Sequence, residues 1–412
     1  MSTFSSLGLS DAILRALDAC GYSTPTPIQA AAIPPLLAGH DVLGGARTGT
    51  GKTAAFALPV LQHLSKTPAR GRRRIRALVL APTRELAAQV GESFRIYSKH
   101  LDLRTQVIFG GVSQRRQVEG LRAGRDILVA CPGRLLDLHG QGYVDLDHVE
   151  FFVLDEADQM LDMGFIHDIR RVLETLPADR QSLFFSATLP KPIVELARTF
   201  LRDPRKISVT PPSTTAPRIV QRVMFIESAD KKRLLAQILK QNEVEQSLVF
   251  TRTKHGANRL VKQLDKAGIE ARAIHGNKSQ GARTRALDAF RDGALSVLVA
   301  TDVASRGIDV DGVSHVFNYD LPNVPESYVH RIGRTGRAGR TGVAIAFCSQ
   351  EEGPYLRDIE RLIGETIDVD ADHPWHAPDA IPAAARPAPP KKTSSGKPSR
   401  RRRRRRRPTG RS

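Results

Sequence analysis

The chain has 412 residues, of which 41% are hydrophobic and 25% are charged, and its formal net charge at pH 7 is +19. This length and composition are typical of a globular protein with two or three domains and exclude a chain too polar to form a core. Its three cysteines, Cys20, Cys131 and Cys348, are far apart, which excludes a zinc-finger pattern and a disulfide framework. Because we find no run of eighteen apolar residues and no charged leader, we expect a cytoplasmic protein.

The first strong motif, at residues 46–53, reads Ala-Arg-Thr-Gly-Thr-Gly-Lys-Thr. It follows a short apolar run and precedes a helix-like segment, and this order of strand, glycine-rich loop and helix is the context of a phosphate-binding P-loop. We predict that the loop N–H groups surround the phosphates, that Lys52 reaches the β and γ oxygens, and that the Thr53 hydroxyl binds Mg²⁺. The strict pattern begins with glycine, so Ala46 makes this loop a variant.

Apolar runs of strand length then alternate with helix-like segments through the first half of the chain. Such alternation predicts a parallel sheet that is covered by helices. After the P-loop, the predicted strands are residues 77–80, 106–109, 127–130, 151–154 and 182–185.

The strand at residues 151–154 is followed directly by Asp155, Glu156, Ala157 and Asp158. An acidic turn after a strand is most often a solvated loop or the N-cap of a helix. In open α/β sheets, however, ligands bind at the carboxyl ends of strands, and here a P-loop precedes the turn. We therefore predict an ATPase in which Asp155 holds Mg²⁺ through water, while Glu156 orients and deprotonates the attacking water.

A linker-like stretch at residues 210–217, rich in proline, serine and threonine, divides the chain, and the alternation then resumes. The predicted fold class is therefore α/β, with two doubly wound parallel-sheet domains joined by a hinge. The strands predicted in the second half are residues 223–226, 247–250, 297–300, 315–318 and 343–347.

Residues 330–340 alternate arginine with glycine. Rigid guanidinium groups beside glycines suit arginine fingers, which stabilise the charge on a transferred phosphoryl group. The same composition is also typical of a nucleic-acid-binding patch, and the pattern alone leaves both interpretations open. If these arginines are fingers, the ATP site is complete only when the two domains close on each other, so ATP should bind cooperatively with any ligand that also prefers the closed state.

The C-terminal tail, residues 380–412, contains thirteen of the 62 lysines and arginines and no acidic residue. Its proline, alanine, serine and arginine content cannot bury apolar surface, which predicts a disordered segment. A charge run of this kind can simply aid solubility. Eight successive arginines nevertheless bind polyanions strongly, and we predict that the tail binds RNA.

Together these motifs resemble those of the DEAD-box RNA helicases over nearly all of residues 1–370, and the variant P-loop is the form found in that family. Residues 162–171 and 251–258 resemble the bacterial RhlE-type subgroup in particular. The resemblance implies two RecA-like domains and an adenine-reading element at residues 1–30. The nucleotide-binding residues that it implies are Phe4, Tyr22, Gln29, Ala46, Arg47, Thr48, Gly49, Thr50, Gly51, Lys52, Thr53 and, on the ribose, Asp309.

The resemblance also implies roles at the RNA surface and between the domains. Arg334 and Arg337 would be the arginine fingers, and Asp158 would face the second domain rather than the metal. The residues implied to couple the domains are Asp158, Ser186, Thr188 and His330. The implied RNA contacts are Pro82, Thr83, Arg84, Gly110, Gly111, Cys131, Gly133, Arg134, Arg252, Gln280, Arg283 and Thr301.

Two positions depart from the family pattern. Cys131 stands where the family usually has a threonine that donates to the RNA backbone, and a thiol is a weak donor. Since one neutral hydrogen bond contributes about 1 kcal/mol, we expect modestly weaker RNA binding with intact ATPase chemistry. Arg47 stands where the family most often has glutamine, and we expect no defect from it.

The resulting prediction is an ATP-dependent RNA helicase that unwinds short duplexes or remodels RNA–protein complexes, using ATP and Mg²⁺. Its predicted parts are an ATP-binding domain (31–209), a linker (210–218), a C-terminal domain (219–370) and a disordered tail (371–412). The alternative is an RNA chaperone or ATP-gated RNA clamp whose basic tail dominates binding, and a DNA translocase is a third, disfavoured interpretation. Ribosomal and RNA-decay complexes are both compatible partners, and we expect little sequence preference.

Overall fold

The computed structural model of the chain describes residues 3–46, 49–67, 71–208, 219–241, 243–302, 313–336 and 341–378. These residues form two parallel β-sheets of seven strands each. Residues up to 208 form the first unit, and residues from 219 onward form the second unit. The predicted linker at 210–218 lies outside the described residues. Among the described helices, none is both long enough and apolar enough to span a bilayer.

The sheet of the first unit consists of β1 (Val42–Gly45), β2 (Ala77–Leu80), β3 (Thr105–Ile108), β4 (Ile127–Ala130), β5 (Phe151–Leu154), β6 (Gln181–Ser186) and β7 (Arg205–Ser208). The strands lie in the order β3-β4-β2-β5-β6-β1-β7, and their pairings are parallel. The predicted strands are confirmed, with β3 shifted by one residue. Strands β2, β4 and β5 are buried along their whole length, as expected at the centre of a parallel sheet.

Helices cover both faces of this sheet. One face packs in a hydrophobic core that includes Phe56, Phe94 and Phe185, and the other packs around Leu135 and Met160. The helices are α1 (Asp11–Ala19), α2 (Pro27–Leu37), α3 (Lys52–Lys66), α4 (Arg84–Tyr97), α5 (Arg115–Arg122), α6 (Pro132–Gly140), α7 (Ala157–Asp162), α8 (Ile166–Glu174) and α9 (Lys191–Phe200).

The sheet of the second unit consists of β8 (Ile219–Phe225), β9 (Ser247–Phe250), β10 (Ala271–Ile274), β11 (Val297–Ala300), β12 (His315–Asn318), β13 (Gly342–Cys348) and β14 (Asp368–Val369). Its order, β10-β11-β9-β12-β13-β8-β14, repeats that of the first sheet when the strands are counted from the start of each unit. The described helices are α10 (Lys231–Ile238), α11 (Lys254–Lys266), α12 (Gln280–Arg291), α13 (Pro325–Ile332) and α14 (Gly353–Ile363).

The second unit extends beyond its predicted boundary at residue 370. Trp375 packs against the hydrophobic core formed by β8, α10 and α11. The Ala377 N–H donates to the Phe225 carbonyl at 3.0 Å, which attaches this segment to β8. The prediction that the disordered tail begins at 371 is therefore wrong for residues 371–378, because the sequence pattern did not reveal these partners. The rest of the tail, residues 379–412, lies outside the described residues.

Candidate functional site

The P-loop lies between β1 and α3, as predicted, and its shape depends on glycine. Gly49 and Gly51 have φ values of +81° and +89°, which only glycine adopts readily. A Cβ atom on Gly51 would also lie 2.4 Å from Gln29 Nε2. Helix α3 begins at Lys52, so its first N–H groups point into the loop, where they favour an anion. Arg47 and Thr48 of the predicted loop lie outside the described residues.

Gln29 connects the N-terminal element to the P-loop. Its Nε2 donates to the Gly51 carbonyl at 3.1 Å, and its Oε1 accepts from the Thr26 N–H at 2.8 Å. The capping box at Thr26, followed by Pro27 in the first turn of α2, fixes this glutamine in the first turn of the helix. The side chain is buried, while Tyr22 at the start of the same element is exposed. The structure thus brings Gln29, one of the predicted adenine-reading residues, to the edge of the phosphate site.

Phe4 is a buried residue of the first unit. It is 4% exposed and belongs to the hydrophobic core beneath α1 and α2. Its aromatic ring adds apolar area to this core, and its part in nucleotide binding stays a prediction. Gln62 holds the same segment, since its Oε1 accepts from the Ser10 N–H at 2.9 Å and its Nε2 donates to the Gly8 carbonyl at 3.0 Å. The sequence motifs gave no indication of Gln62.

The acidic turn at the end of β5 lies against the P-loop lysine. The shortest distance between Lys52 Nζ and a carboxylate oxygen of Glu156 is 4.0 Å, and both side chains are buried. Glu156 has a φ of +52°, which is unusual for a residue with a side chain and typical of strained functional turns. Gln159 donates from Nε2 to Glu156 Oε2. The two motifs that lie a hundred residues apart in the sequence therefore form one buried site.

Asp155 is the most strongly perturbed carboxylate of the site. Burial raises the pKa of this carboxyl group to about 7, while the nearby Lys52 ammonium acts to lower it. Asp155 Oδ1 and Lys52 Nζ are both buried and make no hydrogen bond within the described part of the chain. Buried polar groups of opposite charge without partners fit a cation on the carboxylate side and a phosphate on the ammonium side.

The residues present also suit Mg²⁺ rather than a metal held by protein alone. Among the described residues, no group of three or more metal-ligating side chains occurs. Mg²⁺ is usually bound by one or two carboxylates together with water and substrate phosphates, so a protein cage is not needed. Asp155 and the Thr53 hydroxyl at the start of α3 are the groups that would hold it.

Asp158 makes its contacts within the first unit. Its Oδ2 accepts from the Thr188 N–H at 2.9 Å and from the Thr188 hydroxyl at 3.0 Å. The Ser186 hydroxyl accepts from the Asp158 N–H at 3.2 Å and donates to the Thr188 carbonyl at 2.7 Å. In this structure Thr188 binds the carboxylate, and the role of Asp158 toward the second domain stays a prediction. The turn after β6 is tied directly to the acidic turn after β5.

The arginine–glycine segment begins in α13, and its best-defined member is Arg331. This side chain is fully buried, donates from Nε and Nη2 to both carboxylate oxygens of Asp302 at 2.6 and 2.8 Å, and lies 5.0 Å from the Phe250 ring centre. The structure therefore assigns Arg331 a packing role that the motif did not reveal. Arg334 is buried in the turn after α13, and His330 is half-buried in the last turn of that helix. Arg337 and Asp309 lie outside the described residues.

Three predicted RNA contacts, Arg84, Gln280 and Arg283, join the two units through Glu85 instead of standing open. An Arg283 guanidinium nitrogen and a Glu85 carboxylate oxygen are 2.8 Å apart, and both side chains are buried. Gln280 donates from Nε2 to Glu85 Oε1 at 2.9 Å and accepts from Arg84 Nη1 at 3.4 Å. Burial lowers the pKa of the Arg283 guanidinium, although Glu85 opposes this effect. Glu85, which is not among the predicted site residues, is the centre of this contact between the units.

The other predicted RNA contacts line the carboxyl ends of both sheets. Arg134 in α6 donates from Nη2 to the Val112 carbonyl at 3.3 Å and lies 3.3 Å from Asp137. Arg252 follows β9, and its side chain is 38% exposed. The remaining members follow β2, β3, β4 and β11, namely Pro82, Thr83, Gly110, Gly111, Cys131, Gly133 and Thr301. These predicted RNA contacts therefore follow the carboxyl ends of strands in both units, where open α/β sheets bind ligands.

Cys131 is the N-cap of α6, but its side chain makes no capping hydrogen bond. Burial raises the pKa of its thiol to about 12, so it stays protonated and is a poor donor. We expect Cys131→Thr to raise RNA affinity about fivefold, because a hydroxyl replaces the thiol at the cost of little volume. Fluorescence anisotropy with labelled RNA measures this change. Cys131→Val is the control, because valine has the shape of threonine but no hydroxyl, and this variant should bind RNA like the wild type. An equal gain in affinity in both variants would contradict the assignment of residue 131 as a donor to RNA.

Comparisons with known protein families agree with this geometry. Residues 26–196 match the family model described as DEAD/DEAH box helicase, and residues 230–339 match the helicase conserved C-terminal domain. A DEAD-box ATP-dependent RNA helicase CshA of Bacillus cereus is 44% identical over 368 residues, which cover 89% of this chain and 69% of the relative. The protein of the same name from Geobacillus kaustophilus is 45% identical over 362 residues, covering 88% and 76%.

Solved structures show the same architecture. S. cerevisiae Dbp5 bound to RNA and ADP BeF3 matches with a TM-score of 0.79 and 33% identity, covering 90% of this chain and 95% of that one. A DEAD box protein from Methanococcus jannaschii is 39% identical with a TM-score of 0.52, covering 89% and 99%. The predicted pair of RecA-like domains is confirmed by these matches and by the two sheets.

Proposed function

Because this chain belongs to the DEAD/DEAH box helicase family, we infer that it is an ATP-dependent RNA helicase, an enzyme that hydrolyses ATP. The observation that carries this conclusion is the burial of Lys52, Asp155 and Glu156 together at the carboxyl end of β5. The finer prediction of an RhlE-type subgroup gains no support, since the relatives described above are named CshA.

The proposed chemistry begins with the placement of the phosphates. The N-terminus of α3 and Lys52 bind the β and γ oxygens and so orient the nucleotide for reaction. Mg²⁺, when bound by Asp155 and Thr53, neutralises part of the phosphate charge. Glu156 accepts the proton of the attacking water at its carboxylate, whose orientation Gln159 holds by donating to Oε2.

The remaining nucleotide contacts are proposals from the family pattern. Gln29 and Tyr22 would read the adenine, and Asp309 would bind the ribose. Arg334 and Arg337 would be the arginine fingers that reach the γ-phosphate from the second unit. The contact of Arg283 with Glu85 supports this arrangement, since it holds the second unit against the first.

The RNA part of the proposal rests on the residues at the carboxyl ends of the two sheets. Their backbone and arginine groups suit phosphate and sugar contacts, so sequence preference should be weak. Closure of the domains, proposed at 31–209 and 219–370, would then couple RNA binding to ATP hydrolysis through Ser186, Thr188 and His330. A cytoplasmic location and association with ribosomal or RNA-decay complexes are further proposals, supported by the sequence analysis alone.

The test of this function is ATP hydrolysis measured with and without single-stranded RNA, together with unwinding of matched short RNA and DNA duplexes. We expect RNA to raise ATP turnover and the RNA duplex to be separated in preference to the DNA duplex. ATP turnover that is the same with and without RNA would contradict the proposal. Faster unwinding of the DNA duplex would favour a DNA translocase instead.

A second candidate function, an RNA chaperone or clamp, is favoured by the thirteen basic residues in 380–412. If about six tail cations meet phosphates of a single strand, removal of residues 380–412 should flatten the log–log salt dependence of RNA binding by roughly four. A helicase keeps unwinding at high RNA concentration after this truncation, whereas a chaperone that depends on the tail loses strand annealing. An unchanged salt slope would exclude the tail from RNA binding.

A further inference from the structure

An unassigned feature of the second unit is a cluster of three charged side chains, Lys231, Arg252 and Glu352. Lys231 begins α10, Arg252 lies two residues beyond the end of β9, and Glu352 immediately precedes α14. Three separate segments of the chain therefore meet at the carboxyl ends of the strands of the second sheet. Arg252 is a predicted RNA contact, whereas no sequence motif points to Lys231 or Glu352.

Glu352 is the centre of this cluster. Its Oε1 accepts from Arg252 Nη2 at 2.9 Å and from the Leu321 N–H at 3.1 Å. Its Oε2 accepts from Lys231 Nζ at 2.5 Å and from both the N–H and the hydroxyl of Ser349 at 3.1 Å. Five donors therefore fix a carboxylate that is 4% exposed, and neither of its oxygens can turn away without leaving a buried donor unpaired.

Lys231 lies behind Glu352 and is shut off from solvent. It is 2% exposed, and its Nζ also donates to the Tyr319 carbonyl at 2.8 Å and to the Phe347 carbonyl at 3.4 Å. A side chain held in this way cannot reach a bound RNA. Any effect of Lys231 on RNA must therefore act through Glu352 and Arg252.

Arg252 is the one member of the cluster that reaches the surface. Its Nη2 donates to the Leu321 carbonyl at 3.2 Å in addition to Glu352, and its guanidinium lies 5.2 Å from the Tyr355 ring centre. Its Nε and Nη1 make no hydrogen bond within the described residues. Nη2 is thus held by the protein, and the hydrogens on Nε and Nη1 are available for single charge-assisted hydrogen bonds to phosphate oxygens.

The charges explain why the cluster needs a buried lysine. Glu352 alone would cancel the charge of Arg252, and a neutral pair attracts phosphate weakly. With Lys231 behind the carboxylate, the three groups sum to one positive charge, and only Arg252 displays it. On the basis of the proposed function, we propose that Lys231 and Glu352 are positioning residues that hold Arg252, with its charge uncancelled, against a phosphate of the bound RNA.

The test is Lys231→Met in the full chain, assayed by RNA-stimulated ATP hydrolysis. We expect the RNA concentration that gives half-maximal stimulation to rise about tenfold, because a charge-assisted contact is lost. The turnover at saturating RNA and the KM for ATP should stay within about twofold of the wild type. The log–log salt slope of RNA binding should fall by about 0.7, the value for one phosphate contact on a single strand.

The double change Lys231→Met with Glu352→Gln separates charge from packing. Glutamine keeps the shape of the carboxylate and can still accept from Arg252, while the sum of the charges returns to one positive. We expect the half-saturating RNA concentration to return to within about threefold of the wild type. Arg233→Met is the matched control, because Arg233 lies on the same helix with its side chain 63% exposed and should leave RNA stimulation unchanged.

Either of two results would overturn the proposal. The first is wild-type RNA affinity in a Lys231→Met variant that circular dichroism shows to be as fully folded as the wild type. The second is a folded double variant whose half-saturating RNA concentration does not return toward that of the wild type. Should Lys231→Met not fold, the double variant decides alone, since adding Arg252→Met to it must weaken RNA binding about tenfold. Absence of RNA stimulation in the wild type would instead reject the proposed function. The two failures are therefore distinguishable.

Discussion

Glu156→Gln is expected to lower ATP turnover about 10²- to 10⁴-fold, the range that a positioned general base contributes. The carboxylate lies at the end of β5, near Lys52, and its orientation is fixed by Gln159 and by the turn with a φ of +52°. Glutamine can keep the hydrogen bond from Gln159 and the same backbone conformation, but it cannot accept the proton of water. ATP affinity should therefore stay within about threefold of the wild type.

Release of phosphate under saturating ATP and RNA measures the first quantity, and a fluorescent nucleotide titration measures the second. Glu119→Gln is the matched control, because Glu119 lies on the surface in an ion pair with Arg115 and far from the P-loop in sequence. It should leave turnover unchanged. Hydrolysis at the wild-type rate in Glu156→Gln would refute the assignment of the base.

The second large effect is expected at the contact between the units. Arg283→Met leaves the Glu85 carboxylate buried without its ionic partner whenever the two units close. Breaking a buried pair in this way costs about 3–5 kcal/mol when the remaining charge cannot reach water. Here the units can separate and rehydrate Glu85, so we expect a smaller loss, about 100-fold in RNA-stimulated turnover. ATP binding to the first unit should not change.

Steady-state hydrolysis at saturating ATP across an RNA titration measures this loss. The double variant Glu85→Arg with Arg283→Glu exchanges the two charges and restores the pair in the opposite orientation. Its RNA-stimulated turnover should therefore be at least about tenfold higher than that of Arg283→Met. Arg285→Met, on the exposed side of the same helix α12, is the control and should behave like the wild type. Equal loss in both methionine variants would show that the helix, rather than the ion pair, matters.

Much of the fold could be predicted because the central strands are short, fully apolar runs. Residues 127–130, 151–154 and 247–250 are buried on both faces, and a continuous apolar pattern is the direct mark of that burial. The P-loop and the acidic turn could also be predicted, since each needs particular residue types at fixed spacing. Their meeting at one edge then followed from the rule that parallel strands end together.

The contacts that sequence patterns did not predict involve partners from distant parts of the sequence. Phe4 packs into the core, and Asp158 bonds to Thr188, thirty residues away. Neither choice can be inferred from a local motif, because several partners fit each side chain equally well. The roles of Glu85 and Glu352 could not be predicted for the same reason. In the sequence they resemble ordinary surface acids, and only the fold surrounds them with hydrogen-bond donors.

The two sheets share one strand order, and this has a consequence for how the enzyme is held together. Two modules of the same design are joined through residues 209–218, and a chain of that length spans at most about 40 Å. Each module therefore meets the other as a tethered partner, at an effective concentration in about the millimolar range. A contact as small as that of Glu85 with Arg283 and Gln280 would scarcely bring two separate proteins together. Between tethered modules we expect the same contact to favour closure and still to open again, because the local concentration of the partner, rather than a large interface, brings the two together.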